Sequence, residues 1–111
     1  MNQHQITMTR GDTRIFTVTM TDDAGDPYDL TSADVAFTVG GLFEKGVGDG
    51  ITIADPETGV AVVTVDPADT NGAPDVRRAY RYDVQVTLSS GAVKTPLRGL
   101  FVVVPDVTIP D

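Results

Sequence analysis

Hydrophobic and polar positions alternate along this chain with a period of two, the mark of strands with one buried face. "TRIFTVTM" (13–20) sets Phe16, Val18 and Met20 against Thr17 and Thr19. "DVAFTV" (34–39) puts Val35, Phe37 and Val39 on one face, and "VAVVTV" (60–65) reads as a further strand. The clearest case is "YRYDVQVTL" (80–88), where Tyr80, Tyr82, Val84, Val86 and Leu88 oppose Arg81, Asp83, Gln85 and Thr87. "HQITMT" (4–9) and "ITI" (51–53) are shorter strands, and "AVKTPLRGLFVVV" (92–104) is a last one. Pro96 inside it predicts either a break into two pieces or an edge position, because proline has no N–H for a ladder.

Turn residues punctuate these runs. "TDDAGDP" (21–27), "ADPETG" (54–59), "NGAPDVRR" (71–78) and "SSG" (89–91) are turns or loops. "DPADT" (66–70) predicts a single helical turn, with Asp66 as cap and Pro67 at the first helical position. "GGLFEKGVGDG" (40–50), with five glycines, is the longest irregular segment. No long amphipathic helix, internal repeat or linker is visible. About seven strands at spacings of roughly 8–12 residues predict one all-β domain over 1–111, an immunoglobulin-like antiparallel β-sandwich with an extended tail at 104–111. Phe16, Phe37, Tyr82, Val84 and Val86 are the expected core, each worth roughly 1.5–3 kcal/mol when buried.

Composition narrows what such a domain can do. The 111 residues hold no cysteine, which excludes disulfides and thiolate metal sites. Sixteen acids against eight bases give a net charge of −8, and fourteen of the acids are Asp, the turn and cap former. Nucleic acid is not an expected partner, since phosphate binding needs clustered bases and Arg77, Arg78 and Arg81 are the only such group. No signal peptide and no apolar run of membrane-spanning length is present, so a soluble, unsecreted protein without a membrane partner is expected.

Candidate chemistry is sparse. His4 is the only histidine and no catalytic or phosphate-binding motif occurs, so no enzyme activity, cofactor or small-molecule substrate is expected. "DDAGD" (22–26) has the carboxylates of a calcium loop, but Pro27 and Ala33 stand where the EF-hand pattern needs Gly and Glu. No metal is expected there. Leu42, Phe43 and Val47 in the glycine-rich segment form the candidate contact loop, either exposed as an apolar patch or folded back onto the core. Tyr28 is the aromatic residue outside the predicted inward positions, and so the one available to a carbohydrate site.

"TRGDTR" (9–14) contains Arg10-Gly11-Asp12, the adhesion tripeptide, without any sign of an extracellular setting. The alternative is structural. Gly11 and Asp12 would be the two corners of a type II′ hairpin turn flanked by Arg10 and Thr13, with Gly11 supplying the positive φ.

The order of these segments is similar to a known family. "RGDT" (Arg10–Thr13), "DDAGDP" (Asp22–Pro27) and "DLTSA" (Asp29–Ala33) follow one another as in the N-terminal domain of baseplate upper proteins of tailed bacteriophages, where R-G-D-T, D-x-x-G-x-P and D-L-T-x-A elements recur. "DPETGVAVVTVDPADT", "YRYDVQV" and "GAVKTPLRGLFVVVPDVT" extend the resemblance over about residues 5 to 108. It implies a β-sandwich building block of a phage particle, located in the virion and assembled in the bacterial host cytoplasm. Its partners would be other virion proteins in many symmetric copies, in the tail or baseplate, and it implies no catalytic residues. A capsid decoration or head–tail accessory protein is the alternative, followed by a receptor- or carbohydrate-binding module.

Overall fold

A computed structural model describes residues 2–74 and 76–106, with side chains from residue 5 onward. Its strands are β1 (Asn2–Thr9), β2 (Arg14–Thr19), β3 (Asp34–Val39), β4 (Phe43–Val47), β5 (Gly50–Asp55), β6 (Val60–Val65), β7 (Arg78–Thr87) and β8 (Val93–Val104). A 3-10 turn, Pro56–Thr58, precedes β6, and one helical turn, α1 (Pro67–Thr70), follows it. The chain is therefore all-β, with no long helix among the described residues.

The strands form one eight-stranded sheet in the order β1-β8-β7-β3-β4-β5-β6-β2, nearly closed into a barrel whose free edges are β1 and β2. This differs from the expected seven antiparallel strands in two ways. β1 runs parallel to β8, from Asn2↔Leu97 to Thr9↔Val104, and β4 meets β5 in a short parallel pair. The extra strand is β4, drawn from the glycine-rich segment read as irregular. Its residues 43–46 zip antiparallel onto β3.

Alternation works as the pattern predicts. Phe37, Val84, Val86 and Tyr82 are buried, as are Val35, Val39, Val63 and Val65, while Phe16 is half-buried against the same cluster. Phe37 is the hub: its ring lies 5.4 Å from Tyr82, 5.6 Å from Phe16, 5.9 Å from Phe43 and 6.2 Å from Phe101, tilted or edge-on to each. Such tilted and edge-to-face ring pairs add to the burial of apolar area.

Pro96 does not break β8. The β7–β8 register shifts between Val84↔Leu97 and Val86↔Lys94, so Thr95 and Pro96 together face Gln85 in a bulge. A bulge is where a strand tolerates a residue that lacks an N–H. α1 forms as its sequence predicts, the Asp66 N–H donating to Asp69 Oδ2 at 2.7 Å. Gly59, after the 3-10 turn, has φ 73°, and a Cβ there would sit 2.6 Å from the Met20 carbonyl. Of the tail expected at 104–111, Val104 belongs to β8 and residues 107–111 lie outside the described residues, as does the His4 side chain.

Candidate interaction surfaces

The Arg10–Thr13 segment is a turn, but not a hairpin. β1 and β2 lie at opposite ends of the strand order, so the segment is a corner carrying the chain from one edge of the sheet to the other. The Asp12 N–H donates to the Thr9 carbonyl at 3.1 Å, and Gly11, with φ 84°, is the second central residue of that turn. Positive φ at that position is the geometry of type II rather than type II′. The corner is firmly tied. Arg10 N–H donates to the Val104 carbonyl, Arg10 Nε to Asp106 Oδ1 at 2.8 Å, and Arg10 Nη1 to the Ala73 carbonyl at 3.1 Å. The buried Gly11 N–H donates to Thr70 Oγ1 at 2.8 Å, joining α1 to the corner. Asp12 and Thr13 are exposed while Arg10 is spent on these bonds.

The candidate contact loop divides. Leu42 and Phe43 are half-buried and pack on the core, Phe43 lying 5.6 Å edge-on to Phe101. Val47 is 44 % exposed. Between them the sequence hid a charged cluster. Lys45 is only 7 % exposed, and its ammonium lies 2.8 Å from Asp69 Oδ2 and 3.4 Å from Asp66 Oδ2. Burial works against the Lys45 charge, but the hydrogen bonds and negative charge of Asp69 and Asp66 outweigh it and raise its pKa above the ordinary lysine value. "DPADT" announces a cap, and nothing local announces its cation 21 residues away.

The Asp22 carboxylate is used within its own turn, where Oδ1 accepts the N–H of Ala24 at 2.9 Å and of Asp26 at 3.0 Å. Among the described residues, no three His, Cys, Asp or Glu side chains gather as a metal site. Asp29 similarly accepts from Thr31, whose hydroxyl first and N–H second, the latter at 2.9 Å, lower the Asp29 pKa, while Leu30 plugs the core. Tyr28, half-buried, lines an open cleft of about 460 Å³ with Asp22, Asp23 and Lys94. A shallower cleft of about 650 Å³ crosses β3, β7 and β8 between Arg81 and Arg98, beside Leu100.

The third cleft, about 280 Å³, is apolar and opens along β2. Ile6 of β1, Phe16 and Val18 of β2, and Phe37, Val84 and Leu97 line it. It lies where the two free edges of the sheet fail to meet. Ile15, just outside, is 64 % exposed. The sequence carries a signal for this: Ile15 and Phe16 are adjacent apolar residues in a period-two strand, so one of them must face outward.

No family model matches the chain, and no curated protein matches it either. Among the described residues no helix is long and apolar enough to cross a membrane.

Proposed function

We propose that this chain is a structural subunit of a tailed-bacteriophage particle, acting in the tail or baseplate through contacts with neighbouring virion proteins. This reading rests on the resemblance of three ordered sequence motifs to the baseplate upper protein domain, each of which forms a joint of this fold. R-G-D-T is the corner between β1 and β2, D-D-A-G-D-P is the turn after β2, and D-L-T-S-A is the plug leading into β3. Each joint has its own hydrogen bonds in this chain, which gives the three motifs a structural reason to recur in order.

The finer reading of the architecture belongs with this proposal. β1-β8-β7-β3-β4 and β5-β6-β2 act as the two layers of an immunoglobulin-like sandwich, linked by the two-residue β4–β5 pair. The Phe16–Phe37 contact supports this, since β2 and β3 are not neighbours in the sheet and their rings meet edge to face across the core. Such a unit, with charged turns and an open sheet edge, serves assembly better than turnover.

Mass spectrometry and cryo-EM of purified particles test the assignment. The expected result is the chain present in stoichiometric amounts at the tail. Its absence from intact particles would remove the reading. Hundreds of copies on the head would replace it with a capsid decoration. The Tyr28 cleft supports the remaining alternative, a carbohydrate-binding module, and saturable binding on a glycan array would favour that instead.

A further inference from the structure

Residues 66–73 fasten β4 and the Arg10–Gly11 corner to each other. Asp66 and Asp69 hold Lys45, the Thr70 hydroxyl accepts the buried Gly11 N–H at 2.8 Å, and the Ala73 carbonyl accepts Arg10 Nη1 at 3.1 Å. Between the last two anchors stand Asn71 and Gly72, both exposed. Asn71 is one of only two asparagines in the chain, and the other, Asn2, precedes Gln3. Asparagine is among the thermally labile residues. Its weak point is attack by the next residue's backbone nitrogen on the carboxamide carbon. A following glycine hinders that attack least, because it has no Cβ and turns freely. Neither reacting group is engaged here. The Asn71 carboxamide and the Gly72 N–H bond to no described residue, and a Cβ built on Gly72 would meet nothing within 4 Å.

We propose that Asn71 is a self-modification site whose isoaspartate product unfastens the Arg10–Gly11 corner from α1. The Gly72 nitrogen gives its proton to solvent and bonds to Asn71 Cγ. The Cγ–Nδ2 bond then breaks, and ammonia leaves with a proton from solvent, closing a cyclic imide. Water opens the ring at either carbonyl. Addition at Cγ breaks the new bond to Gly72 and leaves aspartate. Addition at the main-chain carbonyl breaks the original peptide bond and leaves isoaspartate. One water is consumed and one ammonia released, with no change of oxidation state. Isoaspartate routes the main chain through Cβ and Cγ, so the path between the Thr70 and Ala73 anchors grows by one carbon. The new carboxylate also joins a segment that already holds Asp66 and Asp69. Folding slows the closure. Asn71 is held at φ −61° and ψ −25°, helical angles that keep the Gly72 nitrogen turned from Cγ. The Ala73 N–H, donating to the Thr70 carbonyl at 2.9 Å, opposes the rotation that would bring them together. The corner and the reaction therefore restrain each other. The inference holds independently of the virion assignment.

Incubation of the purified chain at mildly alkaline pH, followed by peptide mass spectrometry and enzymatic labelling of isoaspartate, tests the site. Conversion of amide to acid is expected at Asn71. Gly72→Ala is the control, since Gly72 is not at positive φ and has room for a methyl group. Its melting temperature should hold while conversion falls at least about tenfold. Thr70→Val, which loosens the corner, should speed conversion. The separated isoaspartate form should melt lower than the starting chain and exchange its Gly11 amide faster. Asn71→Asp adds the charge without lengthening the chain, and should keep both properties near their starting values. A folded chain that retains the Asn71 amide throughout overturns the proposal. So does conversion equally fast in Gly72→Ala, or an isoaspartate form whose Gly11 amide stays protected.

Discussion

The corner at Arg10–Gly11 and the strand that leaves it, Arg14–Thr19, are neighbours in sequence and opposites in how their polar groups are satisfied. At the corner, backbone and guanidinium donors reach β8, α1 and Ala73, and Gly11 is buried. A few residues later, half of the backbone groups of β2 point toward no described partner. The difference teaches where this chain has spent its hydrogen bonds. The corner holds the two ends of the sheet together, and the edge beside it bonds to no described residue on its outer side.

Substitutions that act on one region and spare the other sharpen this contrast. The largest loss is expected from Arg10→Ala, which strands a carboxylate that is only 8 % exposed, at Asp106. Breaking a buried pair from one side costs about 3 kcal/mol, measurable by urea denaturation. Thr70→Val leaves the Gly11 N–H buried without its acceptor, for about 2 kcal/mol. Gly11→Ala forces a side chain into positive φ and should cost about 1 kcal/mol or more, so an unchanged melting temperature would count against the turn's role.

A smaller effect is one of pH. Lys45 titrates above its ordinary value because Asp69 and Asp66 outweigh its burial, and Tyr82 does so because burial disfavours the phenolate. A folded-state pKa above the unfolded one stabilises fully below the unfolded value, and that contribution disappears as pH rises through the folded value. The melting temperature is therefore expected to stay level through neutral pH and to fall above about pH 10. Tyr82→Phe should remove part of that alkaline fall. The smallest effect belongs to the open edge, where Ile15→Lys should change the stability of the isolated fold by no more than about 0.5 kcal/mol. A large loss there would mean that the edge is already occupied within the chain.

Local pattern made much of this fold legible. Period-two alternation marked β2, β3, β6 and β7, and the Asp66–Pro67 signature marked α1. What stayed hidden was decided at long range. β4 could not be read because its inward residue is Lys45, whose burial depends on two aspartates in a different element. The Arg10–Thr13 corner reads as a hairpin because its flanking strands are adjacent in sequence. Their true partners, β8 and β6, lie far along the chain. Of the contact-loop residues, Phe43 and Leu42 carried the same apolar signal as Val47, and only packing against Phe37 and Phe101 separates them.

The parallel pairing of β1 with β8 also sets a timetable. Arg10 and Asp106 are 96 residues apart, so β1 has no sheet partner until β8 exists. Contacts of such sequence separation slow folding, because the chain must be ordered before they return any stability. On the ribosome, β2 to β7 can pair among themselves while β1 waits unpaired. β1 is thus the latch that closes only once β8 has been made.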